Sequence, residues 1–197
     1  MKFGDVLYES KDRVAMITLN RPERFNAISE TMPDDIAAAF EYANNDDAVH
    51  VVVLTGAGRG FCGGYDLKTY AEKSGENPAI QEMPWDPMID YQMMSRNVRG
   101  FMSLFRADKP VVCKVHGFCV AGGTDMALCS DLLVIGEDAK IGYPPARVWG
   151  SPTTAVWAFR IGMEKAKRLL FTGDCLNGKE AVAWGLACEC APADQLD

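Results

Sequence analysis

The sequence has few histidines, no long apolar run and no CxxC pair, and each absence excludes a class of protein. The two histidines, His50 and His116, are far apart, and the seven cysteines are odd in number and scattered, so we expect neither a metal site nor a disulfide framework. No apolar run is long enough to cross a bilayer, and the N-terminus lacks a signal-peptide core. We therefore expect a cytoplasmic protein that does not bind membranes.

Positive charge is also scarce, because 20 lysines and arginines stand against 27 aspartates and glutamates, for a net charge of −7. Proteins that bind nucleic acids normally present a basic face, so we do not expect nucleic acid as a partner. If the protein binds a ligand that carries phosphates, local arginine and lysine side chains and backbone N–H groups must hold them, since the overall field is repulsive.

Apolar runs typical of strands alternate with segments of helical spacing along the whole chain. The run His50–Thr55 is apolar on both faces, as strands of a parallel sheet covered by helices are. Further strands are predicted at Val6–Glu9, Val14–Leu19, Pro110–Val115, Leu132–Ile135, Ile141–Gly142 and Leu186–Cys190. Helices are predicted from Ser29 or Thr31 onward and at Asp66–Glu72, Met88–Phe105, Gly122–Cys129, Pro152–Ile161, Glu164–Phe171 and Gly178–Trp184. With no linker or repeat, the pattern predicts one α/β domain over residues 1–197.

The predicted helix Met88–Phe105 carries a stripe of large apolar side chains at helical spacing. We expect this stripe to face the core rather than a ligand. Its members are Met93, Met94, Val98, Phe101, Met102 and Phe105.

Two junctions in the chain join a buried strand to a helix through glycines, namely residues 51–67 (VVVLTGAGRGFCGGYDL) and residues 111–128 (VVCKVHGFCVAGGTDMAL). The first junction does not fit a nucleotide-binding loop, because Phe61 stands where the third glycine is required. Glycine turns leave N–H groups open to a ligand, and two such turns that converge could hold a developing oxyanion. Tight packing explains either turn alone equally well.

Three segments, in this order, resemble the main motifs of the enoyl-CoA hydratase/isomerase (crotonase) superfamily: Leu19–Ala27 (LNRPERFNA), Gly60–Leu67 (GFCGGYDL) and the stretch from Lys109 to Asp125. The resemblance implies a crotonase-like spiral of ββα units whose C-terminal helical region assembles homotrimers or homohexamers. Family members usually continue several dozen residues beyond the position of Asp197. We therefore expect the C-terminal helical extension to be missing from this sequence.

The resemblance also implies an acyl-CoA substrate and a set of residues that bind it. The backbone N–H groups of Tyr65 and Gly122 would form the oxyanion hole for the thioester carbonyl. Coenzyme A would enter as part of the substrate, so no separate cofactor is expected. Arg24 could pair with a phosphate, or it could be a solvated surface arginine. The positions that match the coenzyme A site are Arg24, Phe25, Ala27, Gly64, Asp66 and Leu67.

The sequence departs from the family's hydratases at their two catalytic glutamates, where it has Asp125 and Pro145. Proline transfers no proton, so Asp125 would act alone, and burial would have to raise its pKa. Asp125 could instead only cap or polarise the early turns of its helix. Tyr143 is expected either to orient water or a substrate carbonyl, or to form an aromatic pocket wall. Arg147 is expected to bind a substrate carboxylate or to pair with an acidic neighbour.

These residues predict an enoyl-CoA hydratase-like enzyme of fatty-acid or related acyl-CoA metabolism, in which Tyr65 and Gly122 hold the oxyanion and Asp125 transfers the proton. A single acid suits double-bond isomerisation, decarboxylation or thioester hydrolysis at least as well. The proline at position 145 also leaves open a non-catalytic protein that binds acyl-CoA.

Overall fold

The structure is a computed structural model that describes residues 1–72, 81–148 and 150–196. Its strands are β1 (Lys2–Phe3), β2 (Val6–Lys11), β3 (Val14–Leu19), β4 (Val51–Gly56), β5 (Val111–Val115), β6 (Phe118–Val120), β7 (Leu132–Gly136), β8 (Lys140–Gly142), β9 (Cys175–Leu176) and β10 (Glu189–Ala191). Its α-helices are α1 (Met32–Asn44), α2 (Pro87–Phe105), α3 (Gly122–Ala127), α4 (Val156–Thr172) and α5 (Gly178–Trp184). The predicted mixed α/β fold is confirmed.

The larger sheet has seven strands in the order β1-β2-β3-β4-β5-β7-β10. Strands β1 to β3 pair antiparallel, whereas β3, β4, β5, β7 and β10 pair parallel. The carboxyl ends of parallel strands lie at one edge of a sheet. The loops that follow β4 and β5, which contain the two glycine-rich segments, therefore leave the sheet at the same edge.

A second sheet, in the order β6-β8-β9, was not fully predicted from the sequence. Its strands are only two or three residues long, too short for a periodic pattern to be visible. Cys62 forms an isolated parallel bridge with Cys119 of β6. This small sheet therefore holds the first glycine loop against the second.

Helix α2 packs against α1, but the side chains that it buries differ from the predicted apolar stripe. The buried residues are Asn97, Gly100, Phe101 and Leu104. The prediction is wrong for Phe105, which is 59% exposed, and only partly right for the methionines, which are half-buried. Gly100 explains the shift in the buried face, since its missing side chain lets α2 approach Pro33 of α1.

The C-terminal part of the chain corrects several predicted boundaries. The two helices predicted at Pro152–Ile161 and Glu164–Phe171 form one helix, α4, that kinks at Gly162, where φ is 77°. The last strand, predicted at Leu186–Cys190, is β10 at Glu189–Ala191 in the structure. Helix α3 ends two residues earlier than predicted. A π-helical turn, Lys68–Glu72, replaces the helix predicted from Asp66. In the described part of the chain, no helix is both long and apolar enough to span a membrane.

The close contact between α2 and α1 predicts the effect of a single methyl group. A Cβ at Gly100 would lie 2.5 Å from the carbonyl oxygen of Pro33. Alanine is normally favoured over glycine in a helix by about 1 kcal/mol. We expect the clash to reverse this sign, so that Gly100→Ala lowers the free energy of unfolding in urea by about 1–3 kcal/mol. Arg99→Ala, on the exposed face of α2, is the control and should change it by less than about 0.5 kcal/mol; a more stable Gly100→Ala protein would contradict the packing.

Candidate active site

The two glycine loops, residues 56–66 after β4 and residues 116–122 after β5, are joined by backbone hydrogen bonds. The Cys62 N–H donates to the Phe118 carbonyl at 3.1 Å, and the Val120 N–H donates to the Cys62 carbonyl at 3.1 Å. A Cβ at Gly123 would lie 2.9 Å from the Cβ of Cys62. The glycine therefore permits the first turn of α3 to lie directly against the first loop.

The N–H groups of Tyr65 and Gly122 have no hydrogen-bond partner in the part of the chain that the structure describes. Both neighbours of the Tyr65 N–H are paired, since the Gly64 carbonyl accepts from Ile28 and the Asp66 N–H donates to Ile28. A Cβ on Gly64 would lie 3.5 Å from the Gly122 nitrogen, so the two loops bring the pair of predicted donors close together. Two unpaired N–H groups in adjacent loops are available to a ligand oxygen.

The residue before each donor has a left-handed backbone conformation. Gly64, before Tyr65, has a φ of 95°, and Ala121, before Gly122, has a φ of 53°. Alanine rarely adopts such a φ, and the conformation costs about 1–3 kcal/mol. The Ala121 N–H donates to the Gly142 carbonyl at 3.1 Å, which helps to hold this backbone in place.

The Asn26 side chain holds the first glycine loop through hydrogen bonds, a role that no sequence pattern indicated. Its side-chain amide donates to the carbonyls of Ala57 (2.8 Å) and Gly60 (2.9 Å) and accepts from the Arg21 N–H (2.9 Å). Asn26 is fully buried and has a φ of 53°, a conformation that asparagine tolerates better than most residues. A buried asparagine thereby connects the first motif to the loop of the second.

Asp66 lies beneath the same loop and forms ion pairs with Arg21 at 3.0 Å and with Arg24 at 3.1 Å. Burial raises the pKa of Asp66, but the hydrogen bond from Arg21 and the charge of Arg24 outweigh burial and hold this pKa below its usual value. The Arg24 guanidinium is therefore already paired in the protein. Its predicted contact with a phosphate, and that of Asp66 with coenzyme A, stay predictions.

The other residues predicted to bind coenzyme A lie beside the first loop. The Phe25 side chain is half exposed, meets Phe118 edge to face, and has the Arg59 guanidinium 5.7 Å from its ring centre. The Ala27 carbonyl accepts from Arg21, and Leu67 is exposed at the cavity.

Within residues 1–72, 81–148 and 150–196, no three His, Cys, Asp or Glu side chains are arranged to hold a metal ion.

A cavity of about 470 Å³ opens beside the two glycine loops. Its walls are mainly apolar and aromatic, and they include Tyr65, Tyr70, Tyr143, Met93, Met94 and Pro145. The apolar stripe of α2 predicts a core position for the two methionines, and no sequence pattern indicates Tyr70. A helical stripe indicates which side chains are covered, but not whether protein or ligand covers them.

Asp125 is fully buried in α3, and its carboxyl has one hydrogen bond to the described residues, in which Oδ1 accepts from the Thr153 N–H at 3.3 Å. Oδ2 has no partner among the described residues. Burial raises the pKa of Asp125 to about 7, although Thr153 lowers it. A raised pKa is what a lone acid needs at this position, and among the described residues the carboxyl forms no hydrogen bond to its own helix.

The Asp125 carboxyl is fully buried and is not among the groups that line the cavity. Burial raises the pKa of the Tyr65 and Tyr143 phenols, and the charge of Asp125 raises it further. Both phenols line the cavity, so their rings stand near the acid and beside the cavity at once. The Tyr143 hydroxyl donates to the Ser151 carbonyl at 2.8 Å, which favours the predicted role of this residue as a wall.

Arg147 follows Pro145 in a short 3₁₀ helix but is not among the residues that line the cavity. Its guanidinium donates to the Thr172 carbonyl at 2.8 Å and to the Asp174 carboxylate at 2.7 Å. Of the two predicted roles, the contacts favour pairing with an acidic neighbour. The predicted binding of a substrate carboxylate has no support from this geometry.

Residues 9–197 match the model of the family described as "Enoyl-CoA hydratase/isomerase". The crystal structure of an enoyl-CoA hydratase from Mycobacterium smegmatis is similar over 98% of this chain and 68% of that one, with a TM-score of 0.91 and 53% identity. Mevalonyl-coenzyme A hydratase SIDH of Beauveria bassiana is 30% identical over 91% of this chain. Hydroxycinnamoyl-CoA hydratase-lyase of Pseudomonas fluorescens is 30% identical over 99%. The chain spans 64% and 69% of the length of these two relatives.

The burial of Asp125 predicts a dependence of stability on pH. Between about pH 4 and pH 7 the unfolded protein has lost the Asp125 proton while the folded protein retains it, so stability falls as the pH rises through this window. Asparagine cannot ionise. We therefore expect the free energy of unfolding of Asp125→Asn, relative to the wild type, to increase by up to about 4 kcal/mol between pH 4 and pH 8.

Urea unfolding at a series of pH values measures this difference, and Asp108→Asn, at an exposed aspartate, is the matched control. The effect of Asp125→Asn is compared with the effect of this control at each pH. A difference for Asp125→Asn that does not change with pH would contradict the raised pKa.

Proposed function

Because the chain belongs to the enoyl-CoA hydratase/isomerase family, we propose that it binds a 2-enoyl-CoA thioester and adds water across its double bond, with Asp125 as the single acid–base group. One observation carries this proposal: among the described residues the N–H groups of Tyr65 and Gly122 have no partner and lie beside a cavity, and the charge of the buried Asp125 acts on two residues of its wall, Tyr65 and Tyr143. A thioester oxygen bound by both N–H groups would direct its acyl chain into that cavity.

The reaction needs a site that stabilises negative charge on the thioester oxygen. When hydroxide adds to C3 of a conjugated enoyl thioester, electron density moves onto this oxygen and forms an enolate. Each N–H donor aimed at such an oxygen typically contributes about 3 kcal/mol to the transition state. The N–H groups of Tyr65 and Gly122 are suited to this task because no protein acceptor among the described residues competes for them.

One carboxyl can account for both proton transfers of hydration. The Asp125 carboxylate would accept a proton from water as the hydroxide adds to C3, and the carboxylic acid would return that proton to C2. General acid–base catalysis is most effective when the pKa of the group lies near the working pH, and the pKa of Asp125 is about 7. Because Asp125 is fully buried, this arrangement requires the cavity wall, which includes Tyr65 and Tyr143, to open enough for the substrate and water to reach the acid.

Isomerisation of the double bond is the second candidate function, and Pro145 favours it. Pro145 lines the cavity at the position where the family's hydratases have their second glutamate. An isomerase only moves one proton between two carbons of the substrate, so a lone acid is sufficient. The names of the relatives describe hydratases of different acyl-CoA thioesters, which favours hydration as the first assay.

The coenzyme A part of the substrate would lie along the first motif and the first glycine loop. Arg24 and Arg59 supply positive charge there, in a chain whose net charge is −7. We further propose that the protein works in the cytoplasm as a homotrimer or homohexamer. The exposed aromatic side chains of α4, with Phe159 at 79% and Phe171 at 80%, support contact with other subunits.

The test of this function is the loss of absorbance of the conjugated thioester when the protein meets short-chain and long-chain trans-2-enoyl-CoA. We expect a 3-hydroxyacyl-CoA product. Asp125→Asn should lower kcat by about 100-fold or more, because the proton carrier is gone. Its affinity for a saturated acyl-CoA, measured by calorimetry, should stay at the wild-type value, and the surface variant Asp108→Asn should retain full activity.

Three other outcomes would contradict hydration and identify what replaces it. Conversion of 3-enoyl-CoA to 2-enoyl-CoA without hydration would establish the isomerase. Release of free coenzyme A would indicate a hydrolase. Tight binding of acyl-CoA without turnover of either substrate would indicate a binding protein.

A further inference from the structure

The carboxyl of Asp125 is isolated from every charge of opposite sign in the described part of the chain. Burial and Thr153 are the only influences on its pKa, and no cation contributes. The titratable groups that face it are Tyr65, Tyr143, Cys119 of β6 and Cys129 after α3, and the charge of Asp125 raises the pKa of each. Among the described residues, Thr153 is therefore the one that stabilises the ionised carboxyl of Asp125.

Thr153 lies in the irregular segment between the 3₁₀ helix that contains Pro145 and the start of α4. Its N–H donates to Oδ1 of Asp125 at 3.3 Å. Its hydroxyl is buried, forms no hydrogen bond in the described structure, and lies close enough to the carboxyl to lower the pKa of Asp125. Oδ2 of Asp125 is also buried without a partner. Two unpaired polar atoms of neighbouring residues therefore lie within the protein interior. Burying polar atoms without hydrogen bonds lowers the stability of the fold, so this arrangement calls for an explanation.

We propose that Thr153 is a positioning residue for Asp125, in which the backbone N–H holds Oδ1, the transferable proton resides on Oδ2, and the hydroxyl stabilises the carboxylate once that proton has left. The proton assignment follows because an oxygen that accepts an N–H hydrogen bond is the less basic of the two. The catalytic part of this inference depends on the proposed function, whereas the hold of Thr153 on Asp125 does not.

A hydroxyl suits this task because it both donates and accepts hydrogen bonds. While Asp125 is a carboxylic acid, the Thr153 oxygen can accept from it. When the O–H bond at Oδ2 breaks and the proton forms a C–H bond at C2 of the substrate, the electron pair stays on the carboxylate. The hydroxyl can then rotate and donate to that charge. Thr153 would in this way help a single acid to work where Pro145 replaces the second glutamate.

The test compares Thr153→Val, which removes the hydroxyl but keeps the shape and the N–H, with Thr153→Ser, which restores the hydroxyl. Thr154→Val is the matched control, because the Thr154 hydroxyl is also buried and unpaired but does not contribute to the pKa of Asp125. Infrared difference spectra titrate the carboxylic acid band of Asp125 in the protein without ligand, and Asp125→Asn identifies that band.

We expect the midpoint of the titration to rise by about one pH unit in Thr153→Val, because the ionised carboxyl has lost its donor. Thr153→Ser and Thr154→Val should titrate as the wild type does. The pH profile of kcat should shift by the same amount, with KM unchanged. If the valine variant does not fold, Thr153→Ala removes the same hydroxyl with less bulk and takes its place.

An unchanged midpoint in Thr153→Val, or an equal shift in Thr154→Val, would overturn the proposal. Because the infrared titration needs no substrate, it separates this failure from failure of the proposed function. A shifted midpoint in a protein that does not turn over enoyl-CoA would leave Thr153 as the residue that holds Asp125 and would refute hydration alone.

Discussion

The hydrogen bonds between Cys62 and strand β6 are the contact on which the arrangement of the candidate site depends. Each glycine loop follows its own strand of the large sheet, and parallel pairing brings both loops only to the same edge. The bonds from Cys62 to Phe118 and from Val120 to Cys62 fix their distance and register. These backbone bonds, together with the Asn26 amide that holds the first loop, bring the N–H groups of Tyr65 and Gly122 close to one another.

Two buried aspartates near these loops show how surroundings decide the charge of a carboxyl. Asp66 pairs with two arginines, and its pKa is lowered, so that it acts as a fixed negative charge beneath the first loop. Asp125 has no cationic partner among the described residues, and burial raises its pKa to about 7. The first arrangement stabilises the fold at neutral pH, whereas the second makes the fold less stable as the pH rises from about 4 to about 7 and keeps a transferable proton on Asp125 within that range.

The sequence was sufficient to predict the α/β class and the parallel strands, because long apolar runs leave a local pattern. The choice of Tyr65 and Gly122 as N–H donors came from the family resemblance, and their role as an oxyanion hole stays a prediction. The sequence did not predict the full sheet formed by β6, β8 and β9, whose strands of two or three residues are too short for an alternating pattern to stand out. The cavity walls also escaped prediction. Met93, Met94 and Ser151 line the cavity through tertiary contacts, and no local pattern distinguishes a methionine that faces a ligand from one that faces the core.

The left-handed backbone at Ala121 has a consequence for how the sequence can vary. With a φ of 53°, this position disfavours β-branched residues, whose crowded Cβ worsens the strain. The Ala121 Cβ would also lie 2.7 Å from a Cβ at Gly64, so a side chain added to either residue crowds the other. Mutational tolerance at these two positions is therefore coupled: position 121 can drift among small residues only while position 64 keeps its glycine.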